Sequence, residues 1–480
     1  MSAPAGRAPA RRLDTIVHGG RVVTATEVVE ASVAIRDGRI VAVAPDDVLP
    51  DADRHLDARG KYVLPGAIDC HVHLGPEYDD WKSGPLAAAQ AGLTTVLSFV
   101  VADERAGESL PDAIDRLRQE AERDSVLDFG FHFILPHRPA LLEGLPRAVA
   151  QGVTSFKMFM TYKKRGNRMC PDSFICRAME EIAAQGAMTQ LHCENGDVID
   201  FLEDKALAEG RVAPHHFPAT CPDWTEEEAI NRAILMGEMT GCLVYVVHLS
   251  TQLGLERIKR AQAAGQRVWT ETCPQYLLLS EDEMTRWGPL AKIGPPLRRA
   301  DGPDREALWR GLEQGPIAAV ASDHAPRPKA VKEPGWKNIF VGPDGAPIPF
   351  GSPGLETLVP LVYNEGVVAR GLPITWMARV LGENPARMFG LYPRKGAIRP
   401  GADADLLIFD PDAEWTISVA DHRGIAGWTL YEGRKVRGRP WMTMLRGEVL
   451  LDRGTLVQAP GFGRYLARGR PAPPLAGAAR

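Results

Sequence analysis

Segments in which apolar and polar residues alternate lie near both ends of the chain. Residues 13–62 contain IVHGGRVV, ASVAIRDGRIVAVAP and KYVLPG, and residues 396–455 contain DADLLIFDP, TISVA and WMTMLRGEVLLDRG. A period of two is typical of strands with one buried face, and the glycine-containing turns between these segments favour hairpins. We therefore predict that both regions pair into one small β-sandwich domain, with the intervening chain forming a second domain.

The intervening residues, 63–395, alternate apolar runs of strand length with longer helical segments. About eight strand candidates, among them TTVLSFV, DFGFHFIL and CLVYVVHLS, are each followed by a loop or a helix. This order favours parallel βα units, and eight units predict an α/β fold of the closed (β/α)8 TIM-like type. The alternative is a doubly wound open sheet. No G-x-G-x-x-G follows the first strand, which disfavours a dinucleotide-binding version of that alternative.

Both termini have compositions that differ from the rest of the chain. Residues 1–12 are basic and rich in Ala and Pro, with no apolar segment behind the charges, so we predict a disordered arm and no secretory signal. Residues 456–480 form a C-terminal tail rich in Pro, Gly, Ala and Arg. Its composition is compatible with disorder and with a tail that wraps onto a neighbouring subunit.

Composition excludes some partners. The formal net charge of −5 and the lack of a dominant basic stripe give no indication of nucleic-acid binding. No run approaches 18 uninterrupted apolar residues, so we expect no membrane span. The seven cysteines are scattered and contain no C-x-x-C pair, which favours free thiols in a reducing cytoplasm.

A pair of histidines ends the first barrel strand. His71 and His73 close VLPGAIDC, and residues two apart on a strand point to the same side. At the carboxyl end of a barrel strand this side faces the mouth, where TIM-barrel active sites lie. An isolated H-x-H is a weak signal, so its value depends on what ends the other strands.

Three further strand candidates end in side chains that bind metals. His192 follows AMTQL, His248 follows CLVYVV, and Asp323 follows PIAAVAS. Imidazole and carboxylate ligands suit Zn²⁺ and other late first-row divalent ions, so the sequence predicts a metal centre at the barrel mouth. Nearby cysteines have no thiolate spacing, which makes a structural zinc site the weaker interpretation.

A lysine within an apolar strand has two interpretations. Lys157 lies in TSFKMFMTYK, and an unpaired buried ammonium is costly. Its stem could pack while its ammonium reaches the barrel rim, which composition alone favours. Alternatively, the neutral amine captures CO₂ as a carbamate whose two oxygens bridge two metals.

Seven motifs, in order, resemble the cyclic amidohydrolases of the hydantoinase and dihydropyrimidinase family. They are VLPGAIDCHVHL, SFKMFMTYK, LHCENGD, VYVVHLS, ETCPQYL, PPLR and ASDHAP, and they run from about residue 63 to 326. With the flanking sandwich segments, the resemblance covers nearly the whole chain. It implies a barrel enzyme with two divalent metal ions, usually zinc, bridged by a carboxylated lysine.

The resemblance also implies a role for each matching residue. His71, His73 and Asp323 would bind the more buried metal, and His192 and His248 the more exposed one. Lys157, as its N6-carbamate, would bridge both together with a hydroxide. The predicted metal ligands are His71, His73, Lys157, His192, His248 and Asp323.

The implied reaction is metal-dependent hydrolysis of a ring amide to an N-carbamoyl amino acid or a related product. Tyr162 matches the tyrosine that hydrogen-bonds the scissile carbonyl oxygen. Asp323 would take the proton of water and pass it to the leaving ring nitrogen. The substrate is then a small cyclic amide, and relatives of this kind are commonly homo-oligomers, tetramers or dimers.

Departures from the family motifs bear on the substrate. Gly294 replaces the usual serine before PPLR, and Phe350 replaces the usual asparagine before G-x-P-G-x-E, so both are predicted substrate contacts in a reshaped pocket. Gly75 stands where dihydroorotases carry an arginine, which disfavours that activity. The alternatives are a specialised amidohydrolase on an allantoin-like or other ring, and a non-catalytic structural homologue.

Overall fold

The structure is a computed structural model that describes residues 12–166 and 168–477. Of the predicted disordered arm at residues 1–12, all but Arg12 lies outside the described residues. Within the described residues, no helix has both the length and the apolar character needed to cross a membrane.

Strands from both ends of the chain form a β-sandwich. Seven precede the barrel: β1 (Leu13–His18), β2 (Arg21–Val23), β3 (Val28–Glu30), β4 (Ser32–Arg36), β5 (Arg39–Ala44), β6 (Ala52–Asp57) and β7 (Tyr62–Pro65). Four follow the barrel: β16 (Leu406–Thr416), β17 (Lys435–Leu445), β18 (Glu448–Asp452) and β19 (Thr455–Leu456).

These strands form two sheets that share one apolar core. One sheet has the order β5-β4-β1-β6 and the other β19-β18-β17-β16-β7-β2-β3. Strand β7 pairs antiparallel with β16, with Leu64 opposite Leu407, so the second sheet combines both chain ends. Val33 from the first sheet and Met444 from the second lie in the same buried cluster. The predicted sandwich is confirmed.

The central strands form a barrel of eight parallel strands. They are β8 (Ala67–Val72), β9 (Leu93–Val100), β10 (Asp128–Ile134), β11 (Ser155–Phe159), β12 (Met188–His192), β13 (Leu243–Val246), β14 (Val268–Thr272) and β15 (Ala319–Val320). Each pairs with its neighbour in sequence, and the first and last strands meet through a bridge between Val72 and His324. The His73 amide donates to the His324 carbonyl at 2.8 Å across this seam. The predicted barrel is confirmed, and the open-sheet alternative is wrong.

Helices surround the barrel and connect its strands. They are α1 (Ser83–Gln90), α2 (Leu110–Asp124), α3 (Leu145–Ala150), α4 (Asp172–Ala184), α5 (Gly196–Ala208), α6 (Asp223–Thr240), α7 (Gln252–Ala263), α8 (Pro274–Leu278), α9 (Glu283–Arg286), α10 (Asp304–Gln314), α11 (Lys329–Lys332), α12 (Leu355–Leu361), α13 (Ile374–Ala378) and α14 (Asn384–Met388). Helix α4 begins at Asp172, directly after Pro171. Proline preceding a helix and an acidic first turn are typical of helix starts, a signal that apolar periodicity alone does not contain.

A buried ion cluster joins the sandwich to the barrel. The Lys395 ammonium, 1% exposed, lies 2.6 Å from Asp128 on β10, 2.6 Å from Asp405 and 3.1 Å from Asp403. Arg446, in the turn after β17, also pairs with Asp128. Because a buried charge without a partner is costly, removing Lys395 would deprive the carboxylates of Asp128, Asp403 and Asp405 of a shared cation.

The C-terminal tail is ordered against the chain's own barrel. The Phe129 amide donates to the Arg464 carbonyl at 3.0 Å, and the Leu466 amide donates to the Phe129 carbonyl at 2.7 Å. The Arg468 guanidinium is buried and donates to the Phe131 carbonyl and to Ser155 Oγ. Of the two interpretations left open by the composition of the tail, disorder is therefore wrong for residues 456–477. Composition could not reveal these contacts, because they depend on strands more than 300 residues away in sequence.

Replacing Leu466 with alanine tests how tightly the tail is packed. Leu466 is 0% exposed and belongs to the apolar cluster that contains Leu97, Tyr245 and Phe389. We expect Leu466→Ala to lower the free energy of unfolding by about 2–5 kcal/mol in urea denaturation, because the substitution leaves a cavity. Arg464→Ala, at an exposed side chain in the same segment, should change stability by no more than about 0.5 kcal/mol. Equal stability of the two variants would contradict this packing.

Candidate metal centre

Five of the six predicted metal ligands lie at or just beyond the carboxyl ends of barrel strands, and Lys157 lies two residues before the end of its strand. His71 lies in β8, Lys157 in β11 and His192 at the end of β12. His73, His248 and Asp323 follow the ends of β8, β13 and β15, respectively. Because parallel strands present their carboxyl ends at one rim of a barrel, the six side chains share one end of the molecule.

The four imidazoles form a continuous group. The ring centroids of His71 and His73 are 5.4 Å apart, as are those of His71 and His248. The rings of His192 and His248 are 4.4 Å apart. The structure therefore brings together four histidines that are up to 177 residues apart in sequence.

Lys157 and Asp323 complete this group. Lys157 Nζ lies 3.4 Å from His71 Nε2, and the lysine is 1% exposed. Asp323 Oδ1 lies 3.0 Å from His71 Nε2 and 3.5 Å from His73 Nε2. Ligand atoms of His71, His73 and Asp323 all lie within 4.8 Å of one another, so these three residues could hold one metal ion.

Two buried glutamates orient two of the imidazoles. Glu271 on β14 accepts a hydrogen bond from His71 Nδ1. The other nitrogen of this ring, Nε2, therefore faces Asp323 and Lys157. Glu194 Oε2 lies 2.6 Å from His192 Nε2, which leaves Nδ1 of that ring to bind a ligand. Carboxylates commonly fix the tautomer and direction of metal-binding histidines in this way. The motifs ETCPQYL and LHCENGD contain both glutamates, but the spacing along the sequence does not show which histidine each one contacts.

Further buried contacts hold the barrel seam beneath the site. Asp69 Oδ1 accepts from the His71 amide at 3.1 Å and from the Ser322 amide at 3.2 Å. His324 Nε2 lies 2.9 Å from Asp79 Oδ2, and its Nδ1 accepts from the Gly354 amide at 3.1 Å. His324 is therefore fully engaged in structural hydrogen bonds, and its neighbour Asp323 is the residue that faces the cluster.

Three site residues have a left-handed backbone. The φ angles are 74° at Tyr162, 39° at His248 and 49° at Asp323. Non-glycine residues adopt this conformation only rarely, and the strain concentrates at functional sites. The other described non-glycine residues with positive φ are Asp37, Arg446 and Arg453, and each of these precedes a glycine in a turn.

The electrostatics of the cluster suit a cation. Burial lowers the pKa of His73 to about 3, and burial also lowers the pKa of His248 well below its usual value. These imidazoles are therefore neutral, the form that binds metals. His248 Nδ1 is buried without a hydrogen-bond partner among the described residues. Neutral nitrogen donors, the Asp323 carboxylate and an unpartnered buried nitrogen together fit a divalent metal centre.

Tyr162, Gly294 and Phe350, the predicted substrate contacts, line one cavity beside this cluster. The rings of Tyr162 and His192 are 4.8 Å apart, and those of Tyr162 and Phe350 are 5.2 Å apart. A β-carbon at position 294 would collide with the Tyr162 hydroxyl and crowd the Phe350 ring. Glycine at 294 therefore makes room for the tyrosine and phenylalanine side chains.

Comparisons with known proteins agree over almost the full length. The Amidohydrolase family matches residues 62–450. The chain is 36% identical to a D-hydantoinase of Geobacillus stearothermophilus over 466 residues, covering 95% of this chain and 96% of the relative. It is 33% identical to an L-hydantoinase of Paenarthrobacter aurescens, covering 95% of this chain and 98% of the relative.

A solved structure supports the same assignment. The dihydropyrimidinase from Brevibacillus agri NCHU1002 superimposes with a TM-score of 0.90 at 34% identity, covering 96% of this chain and 100% of that chain. Both the sequence and the fold thus lead to one conclusion: the chain belongs to the hydantoinase and dihydropyrimidinase family of the amidohydrolases.

Proposed function

We propose that the protein hydrolyses a ring amide C–N bond in a hydantoin, dihydropyrimidine or related imide, giving an N-carbamoyl amino acid or a similar ring-opened product. The relatives named hydantoinase and dihydropyrimidinase support this substrate class. The observation that carries the proposal is the convergence of four imidazoles, Lys157 and Asp323 beside the Tyr162 hydroxyl.

The proposed cofactor is a pair of divalent metal ions, with zinc the ion that these ligands favour. The amidohydrolase family implies a binuclear centre. His71, His73 and Asp323 would hold one ion, and His192 and His248 the other. The chemistry that such ions supply when bound is the acidification of water and the polarisation of a carbonyl group.

Lys157 is the proposed bridge between the two ions. Burial lowers the pKa of Lys157 to about 8, which favours the free amine. The amine would add to CO₂ with loss of one proton and form an N6-carbamate. This modification replaces a buried amine, which forms no ion pair with a carboxylate among the described residues, with two oxygen ligands.

Two side chains have proposed roles in the reaction. The Tyr162 hydroxyl would donate a hydrogen bond to the attacked carbonyl oxygen and stabilise its developing negative charge. Asp323 would accept the proton of the attacking water and deliver it to the leaving ring nitrogen. The position of its carboxylate, 3.0 Å from His71 Nε2 and 3.5 Å from His73 Nε2, supports this role.

Retention of the ligands argues against a non-catalytic homologue. All six ligand positions are filled and lie together, and Glu271 and Glu194 are hydrogen-bonded to the imidazoles of His71 and His192. A structural protein would have no need for these buried polar contacts, because such groups are costly when they serve no ligand.

We also propose a cytoplasmic homo-oligomer, a tetramer or a dimer. All seven cysteines are free thiols, and burial raises the pKa of Cys193 and Cys273, among others. Buried protonated thiols are compatible with a reducing compartment.

Substitution of Lys157 tests the bridging role. We expect Lys157→Ala to lose bound metal and hydrolytic activity together, because both ions lose a shared ligand. Inductively coupled plasma mass spectrometry and a hydantoin hydrolysis assay measure the two losses. Lys163→Ala, which changes an exposed lysine in the following loop, should retain metal and activity. A Lys157→Ala protein that binds its full complement of metal and is fully active would contradict the bridging role.

Substitution of Tyr162 separates catalysis from metal binding. We expect Tyr162→Phe to keep its metal and to lower kcat/KM by about 10²–10³-fold, because it removes a single donor to the developing oxyanion. Tyr363→Phe provides a matched control, since that hydroxyl contacts the Pro411 carbonyl elsewhere in the fold. An unchanged kcat/KM in Tyr162→Phe would contradict the assigned role.

A further inference from the structure

One guanidinium faces the cavity beside Tyr162 with an unused donor. Arg165 lines this cavity together with Phe350 and Glu203. Its Nη1 is buried and has no hydrogen-bond partner among the described residues. Because a buried charged donor left unpaired is costly, an acceptor supplied by a ligand would recover that cost.

Arg165 is held in place by three separate contacts. Its guanidinium lies 4.4 Å from the centroid of the Phe350 ring, and its Nη2 donates to Glu203 Oε1 at 2.5 Å. Its amide donates to the Tyr162 carbonyl at 3.1 Å. The side chain is therefore fixed beside the residue proposed to bind the scissile carbonyl. Because the guanidinium is fixed, its unused N–H cannot rotate toward water without a cost in free energy. A rigid donor of this kind can therefore discriminate between ligands.

The charges around this donor favour a neutral group. Glu203 is 7% exposed at its side chain and already neutralises Arg165, which is 15% exposed. Asp200 lines the same cavity and adds a second carboxylate. Glu194, which is hydrogen-bonded to His192, also lines the cavity, so a carboxylate on the ligand would meet one paired cation and three acidic side chains. A group with both a carbonyl oxygen and N–H donors would satisfy Arg165, Asp200 and Glu203 together.

We infer that the ring substrate carries a primary amide or urea group on its exocyclic side chain. Its carbonyl oxygen accepts from Arg165 Nη1, and its N–H groups donate to Asp200 and Glu203. This inference rests on the proposed function, since it names the substrate class of the same site.

Three isosteric hydantoins test this inference. They are 5-(2-carbamoylethyl)hydantoin, 5-(2-carboxyethyl)hydantoin and 5-(3-methylbutyl)hydantoin, which place an amide, a carboxylate and an apolar branch at the same distance from the ring. We expect kcat/KM for the amide to exceed that for each of the others by at least about tenfold, as for a hydrogen bond to a charged donor. Equal values, or a preference for the carboxylate or the apolar compound, would overturn the inference.

A variant assigns the preference to its residue. Arg165→Met keeps an unbranched stem against Phe350 and removes the donor, so the ratio of amide to apolar kcat/KM should fall about tenfold. Arg168→Met, at an exposed arginine of the same loop, should keep the wild-type ratio. An unchanged ratio in Arg165→Met would refute the role of Arg165. If Arg165→Met does not fold, the kcat/KM values of the wild-type protein for the three hydantoins decide alone.

Assays with unsubstituted hydantoin and dihydrouracil distinguish failure of the substituent inference from failure of the proposed function. Turnover of these rings without an amide preference would overturn the substituent inference and leave the proposed function intact. No turnover of any ring by metal-replete protein would overturn the proposed function and the inference with it.

Discussion

The hydrogen bond between His71 and Glu271 is the interaction on which the site depends most. It consumes Nδ1 of a fully buried imidazole and so directs Nε2 toward Asp323 and Lys157. Glu271 also accepts from the Tyr245 hydroxyl at 2.9 Å, which fixes the carboxylate in turn. A buried imidazole that is to bind a metal needs such a carboxylate partner, because without it neither the tautomer nor the direction of the ring is fixed.

The remainder of the fold provides the rigidity that this arrangement requires. The left-handed backbone at Tyr162, His248 and Asp323 persists only where its surroundings over-determine it. The closed barrel supplies those surroundings at the mouth. At the opposite end, the tail packs Leu466 into the barrel core, and the Lys395 cluster joins barrel and sandwich. The buried contacts in the rest of the fold thus offset the cost of the left-handed backbone at the site.

The sequence predicted the barrel, and it predicted that the candidate metal-binding histidines and Asp323 lie together, for one physical reason. Strand periodicity is local, and strand ends in a barrel converge, so histidines at strand ends identify a site without a structure. Side-chain partners across the barrel are not local. Glu271, Glu194 and Arg165 lie in a strand, a loop and a turn, respectively, and their contacts depend on tertiary structure. The same holds for the tail, whose glycine-rich and proline-rich composition indicates disorder although its backbone groups pair with β10.

The most direct test of the central claim is the metal content of the purified protein, measured together with ring hydrolysis before and after chelation. We predict about two divalent ions per chain, as in two-metal hydrolases, and turnover of hydantoin or dihydrouracil. Chelation should abolish turnover, and zinc with bicarbonate should restore it, since Lys157 needs CO₂ to form its carbamate. Turnover that persists in metal-free protein would contradict the account.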